Sequence, residues 1–91
     1  MADFDDLIQL RRAFLAAQAA LIAAGRAIPA HSAVVAGEAE PATEGQRETW
    51  LALDAERRRL AVAIQTHSYW ETVEAGDRRR VEAQLRQAAG G

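Results

Sequence analysis

Apolar residues recur early in the chain as pairs at a seven-residue interval, Leu7-Ile8, Phe14-Leu15 and Leu21-Ile22. Leu10, Ala17 and Ala24 each follow the first member of a pair by three residues. The resulting heptad stripe is broader than a bare coiled-coil seam. It predicts an amphipathic helix packed on a partner helix at a shallow left-handed crossing. Asp3 is placed to cap its start, and Asp5 and Asp6 put negative charge in the first turn, where the helix dipole favours it. With Gly25 as the stop signal, the helix covers residues 3–25 and is roughly 33 Å long.

Residues 26–42 hold both prolines and little periodicity, so they read as a connecting loop with at most one helical turn, over Ser32 to Ala36. That is longer than two antiparallel helices need, and loops of such length are usually functional or mobile. A second long helix, residues 43–67, opens with Pro41 near its start and a capping box formed by Thr43 and Gln46. Trp50, Leu53, Leu60 and Ile64 fall at three- and seven-residue intervals, with Arg57 in the remaining core-type place. Leu51 and Val62 lie off that stripe and give the helix a second apolar face, to meet the C-terminal segment or a second subunit.

Beyond His67, Ser68 and Glu71 have the spacing of another capping box, predicting a short helix over 69–75. Gly76 followed by Asp77 reads as a helix stop and a new N-cap, opening a last helix over 77–88 with Val81, Leu85 and Ala88 on its inner edge. Ala88 to Gly91 are expected to fray. The pattern as a whole is all-α: an antiparallel hairpin of two long helices with a short C-terminal helical cap, in one domain spanning residues 1–91.

Length changes this picture. A chain of 91 residues buries only roughly 60 to 68 per cent of the surface exposed when unfolded. Cysteine is absent, so neither disulfides nor thiolate metal sites supplement the thin core. Oligomerisation is the remaining source of burial, and a homodimer completing a helical bundle is the expectation. The net charge of −2 is spread as −3 over residues 1–50 and +1 over residues 51–91, too mild to select nucleic acid or membrane as a partner. The acidic start is unlike a secretory signal, and the most apolar window, Ala13 to Ala24, reads as too short and alanine-rich to span a bilayer. These features predict a cytoplasmic protein.

Candidate chemistry is sparse. The triplets Arg57-Arg58-Arg59 and Arg78-Arg79-Arg80 could bind nucleic-acid phosphates if they converged. Three consecutive helical residues span about 200° of circumference, however, and Asp54, Glu74 and Glu82 stand at pairing distance in sequence. Solvated, locally paired arginines are therefore the commoner reading. His67, Tyr69 and Trp70 cluster at a helix junction with Trp50 within reach. They would form either a pocket or partner-binding anchor, or a plug closing the end of the bundle. His31, in the loop, has no histidine or carboxylate at ligand spacing, so no metal site is predicted. Ser32 and Ser68 stand in no nucleophile motif, and no glycine-rich phosphate loop occurs, so no catalytic residue and no cofactor is assigned. Leu53 to Ile64 resembles part of the long first helix of the all-helical chorismate mutases over about twelve of 91 residues. That family places a lysine further along the same helix, and this chain has no lysine, so no site follows from the resemblance.

The expected function is accordingly non-enzymatic. The chain reads as a helical interaction and oligomerisation module, a small accessory or regulatory protein, with Trp50, Leu51, Val62, Tyr69 and Trp70 as partner-binding residues. Nucleic-acid binding through the two arginine triplets is the alternative, and small-ligand binding at the His67/Tyr69/Trp70 junction a third.

Overall fold

The computed structural model describes residues 3–91, the side chain of His31 excepted. The described chain is all-helical, with long helices packed together: α1 (Phe4–Arg26), α2 (His31–Val35), α3 (Glu44–Gln65) and α4 (Arg78–Ala89), with 3-10 turns at Ser68–Thr72 and Ala75–Asp77 between α3 and α4.

Helix α1 starts where the Asp3 side chain accepts the Asp6 N–H at 2.9 Å, with Asp5 and Asp6 in its first turn. It runs through Gly25 and ends at Arg26. Helix α3 opens with a full capping box. Gln46 N–H donates to Thr43 Oγ1 at 3.1 Å and Thr43 N–H to Gln46 Oε1 at 2.8 Å, satisfying two otherwise unpaired amides. The connection between them contains α2, and Gly37, two residues past its end, lies in the left-handed region (φ 75°).

Helix α1 is the hub, packing along both α3 and α4. Asp6, early in α1, meets His67 just beyond α3, while Gly25, late in α1, lies against the Trp50 indole near the start of α3. Helix α4 follows α1 in the same direction, beginning beside Trp70 and ending where Gly91 approaches Leu15. The result is 55 Å long and about 20 Å thick, with extents of 55 × 21 × 19 Å.

The buried apolar core is small: Leu7, Ala17, Leu60, Val81 and Leu85, of which only Leu7 is fully enclosed. Most of the heptad stripe, including Leu10, Phe14, Leu15 and Leu21, is half-buried.

Three local expectations need correction. The turn after α3 is capped by His67, whose Nδ1 accepts the Tyr69 N–H at 3.1 Å, and not by Ser68. A 3-10 turn is tighter than the α-helical turn a Ser68/Glu71 box requires. The segment over 69–75 is not one helix but two 3-10 turns separated near Val73. Gly76 is not a helix stop and Asp77 makes no side-chain cap. The second 3-10 turn instead feeds directly into α4, so Arg78 to Arg80 stand one turn inside a continuous helical run, away from the positive end of its dipole. The end of α4 makes contacts of its own. Gly90 adopts φ 90° and Gly91 N–H donates to Arg86 O at 2.8 Å. Arg11 Nε and Arg12 Nη2 of α1 donate to the backbone oxygens of Gly91 and Ala88 at 3.2 and 3.3 Å, putting cations at the negative end of the α4 dipole.

By length and composition α1 could also cross a membrane: it has 23 residues and a mean hydropathy of 1.3 over its most apolar stretch.

Candidate functional site

The aromatic junction is built as a lid on the end of α3. The last carbonyls of a helix lack intrahelical donors, and Trp70 supplies one, its indole N–H donating to Ile64 O at 2.6 Å. The Arg78 guanidinium lies over the same indole, 4.6 Å from the ring centre, a cation–π contact. Tyr69 stacks against Phe4 of α1 at 5.7 Å and meets Trp70 edge-on at 6.2 Å. His67 ties this lid to α1. Because its Nδ1 accepts from Tyr69, its Nε2 carries the proton and donates to Asp6 Oδ2 at 3.0 Å. Tyr69 and Trp70 are half-buried and close the end of the bundle, whereas Trp50 stands near the opposite end beside Gly25. The structure therefore does not bring Trp50 to the junction.

Both arginine triplets meet carboxylates. Asp54, with a side chain only 9% exposed, receives Arg57 at 2.8 Å and Arg58 at 3.0 Å. Arg59 Nε donates to Glu56 at 2.9 Å, Arg78 Nε to Glu82 at 3.0 Å, and Arg80 lies 3.5 Å from Asp77. The Arg59 hydrogen bond holds the Glu56 carboxyl below its ordinary range, and Glu56 in turn raises the Arg59 guanidinium. Arg57 occupies the core-type position its spacing predicts, at a cost. Its Nε is buried without a partner, and leaving such a donor unpaired costs about 1–3 kcal/mol. Among the described residues only Arg79 of the six has no carboxylate within 4.0 Å. The triplets lie on different helices, and the structure gives them no shared groove.

Leu51 and Val62 stand 60% and 57% exposed. Eleven residues apart, they differ by only about 20° around α3, so they share one outer stripe. Ile22 of α1 is 49% exposed although it continues the stripe of Ile8 and Leu15. Seven residues past Leu15, it lies within about 20° of the α1 face on which α4 packs, but beyond the point where Gly91 ends the chain's cover. The heptad pattern marks Ile22 as a packing residue, and about half of its surface is left uncovered. The sequence did not single it out, because it looked like any other member of the stripe.

Two concavities flank the bundle. One of about 140 Å³ lies between α1, the end of α3 and α4, with Trp70 in its wall. Neither His67 nor Tyr69 lines it, so the small-ligand junction is a groove beside Trp70 only. The other, about 240 Å³, lies between Ala24 of α1, Ala27 just past its end, and Gly45 and Thr49 of α3, at the loop end. Among the described residues no three histidine, aspartate or glutamate side chains come together as a metal site.

Neither curated proteins nor solved structures show a match to this sequence. A family described as a domain of unknown function, DUF8825, matches residues 6–88, which takes in all of α2, α3 and both 3-10 turns and nearly all of α1 and α4. The chain belongs to the DUF8825 family.

Proposed function

We propose that this protein is a non-enzymatic helical oligomerisation module, an antiparallel hairpin with coiled-coil patterning whose uncovered side is closed by a second copy of the same chain. The observation that carries the reading is surface area. A monomer of 9.9 kDa ordinarily exposes about 5,200 Å², whereas this chain exposes 6361 Å². The excess of about 1,150 Å² exceeds the roughly 800 Å² that each partner buries in a standard interface.

Ile22 and Leu51 mark where that excess is apolar. Helix α4 covers only the first half of α1, and Ile22 continues the covered face past its end. Leu51 sits at the same level on α3, since Gly25 meets Trp50 and Asp6 meets His67. A second copy related by a two-fold axis would place its own hairpin against the loop end, where α4 gives no cover, with Ile22 and Leu51 at the seam. The same proposal gives it the role of a small accessory or regulatory protein of the cytoplasm. The polar features support it over a bilayer location for α1: Arg11 and Arg12 lie inside that helix, and both are engaged with α4.

Light scattering across a dilution series tests this. The expected result is a dimer at micromolar concentration that dissociates on dilution, with Ile22→Glu and Leu51→Glu each shifting it to monomer while helicity is kept. A folded monomer at all concentrations would overturn the reading. DNA added in the same series at low salt addresses the arginine triplets, and their local pairing predicts no mass shift.

A further inference from the structure

We propose that the groove between α1, the end of α3 and α4 is a binding site for a small organic anion, its carboxylate or phosphate head held by Arg11, Arg78 and Arg86 and its apolar body on Trp70. Charge balance is the first support. Three guanidinium groups border this groove and one carboxylate, Glu82, which already accepts from Arg78. The lining is therefore net +2 in a chain of net charge −2.

The choice Glu82 makes is the second. On a helix, a glutamate four residues before an arginine is the better-oriented pair, which would join Glu82 to Arg86. Glu82 instead takes Arg78, four residues before it. Among the described residues no carboxylate lies within 4.0 Å of the Arg86 guanidinium, which borders the groove. Arg11 spends its Nε on Gly91 O, and its two terminal nitrogens make no other hydrogen bond within the described chain. Guanidinium groups recognise carboxylates and phosphates through such paired N–H donors.

The third support is a rigid apolar wall. The indole of Trp70 is fixed by its bond to Ile64 O and by Arg78, and Ile64 and Leu85 add aliphatic surface. The hollow of about 140 Å³ is several times the roughly 10–15 Å³ that one water needs, which gives room for a phosphate or carboxylate head with a small ring against the indole. The site lies at the end of the bundle covered by α4, away from Ile22 and Leu51, and does not depend on self-association.

The test is an NMR titration of the full chain, following the Trp70 indole N–H, with phenyl phosphate, benzoate and inorganic phosphate as probes. A saturable shift with phenyl phosphate or benzoate is expected, weakened about tenfold by Arg86→Gln, since one charge-assisted hydrogen bond is worth that much. Arg79→Gln, outside the groove, should bind as the unaltered chain does. Inorganic phosphate should bind more weakly than phenyl phosphate, because it leaves the indole wall unused. Absence of a saturable shift, equal affinity in the Arg86→Gln variant, or equal affinity for inorganic phosphate would each overturn the assignment.

Discussion

The two ends of the molecule use the same heptad stripe to different effect. At the end where α1 begins, three helices meet. Leu7, Leu60, Val81 and Leu85 are buried there, the α3 carbonyls are capped by Trp70, and His67 bridges to Asp6. At the loop end α1 and α3 pack without α4. Their contacts there include Gly25 against Trp50 and a hydrogen bond of 3.4 Å from Gln46 to Ala27 O, beside a hollow of about 240 Å³. Ile22 and Leu51 stay exposed. The contrast teaches that a pattern of apolar residues sets where burial is possible, while the number of helices present sets where it occurs. The loop end has the stripe and lacks the third helix.

The largest effect separating the two ends should come from truncating their apolar residues. Leu7→Ala is expected to cost about 2–5 kcal/mol, the range for a fully buried leucine, read by urea denaturation. Ile22→Ala should cost under about 1 kcal/mol in dilute monomer, because its side chain is half exposed and leaves no enclosed cavity. Equal losses at both positions would erase the distinction.

Next in size is the ion cluster around the buried Asp54 of α3. Asp54→Ala removes the acceptor of both Arg57 and Arg58 and is expected to cost about 2 kcal/mol. The double change Asp54→Leu with Arg57→Leu should recover that loss or add stability, since apolar replacement of a buried pair is often neutral to stabilising by about 1–4 kcal/mol. Thermal unfolding of the three proteins would decide, and a double variant as unstable as Asp54→Ala would contradict the desolvation account.

A smaller effect is expected at the lid. His67→Ala removes both the Tyr69 cap and the link to Asp6, at a cost of about 1 kcal/mol. Amide exchange should speed up at Tyr69 to Val73 and stay unchanged around Trp50. The smallest concerns Glu56 and Arg59, both on the exposed surface. The carboxyl is held low in the folded chain, so the pair's contribution is present at neutral pH and is lost as pH falls through the depressed folded value. Glu56→Gln should remove that acid-side slope with little other change, and an unaltered slope in the variant would show that the pair contributes nothing.

Much of this arrangement is legible in the residues. Seven-residue spacing and Asp3 mark α1, and the Thr43/Gln46 box marks the start of α3, because caps and heptads are local signals. The end of α3 is not legible in the same way. Ser68 and Glu71 have the right spacing for a cap, but the tight 3-10 geometry gives that role to His67, and only the position of α1 makes Asp6 its second partner. Gly76 and Asp77 read as punctuation since each favours helix ends, yet the 3-10 turn runs straight through them into α4. The exposed faces divide similarly. Leu51 and Val62 stand out as off-stripe residues, whereas Ile22 is conspicuous only once the length of α4 is known. The anion groove takes Arg11 from one end of the sequence and Arg86 from the other, a juxtaposition no spacing encodes.

The central claim is that a second copy covers the loop end, and site-specific alkylation tests it most directly. The chain has no cysteine, so Leu51→Cys and Ala83→Cys, the latter on the exposed side of α4, each introduce a single thiol. The account predicts that the thiol at position 51 reacts more slowly as protein concentration rises through the dimerisation range, while the thiol at position 83 reacts at one rate throughout. A rate at position 51 that ignores concentration would contradict it, and the loop end would then be an open face in the protein's resting state.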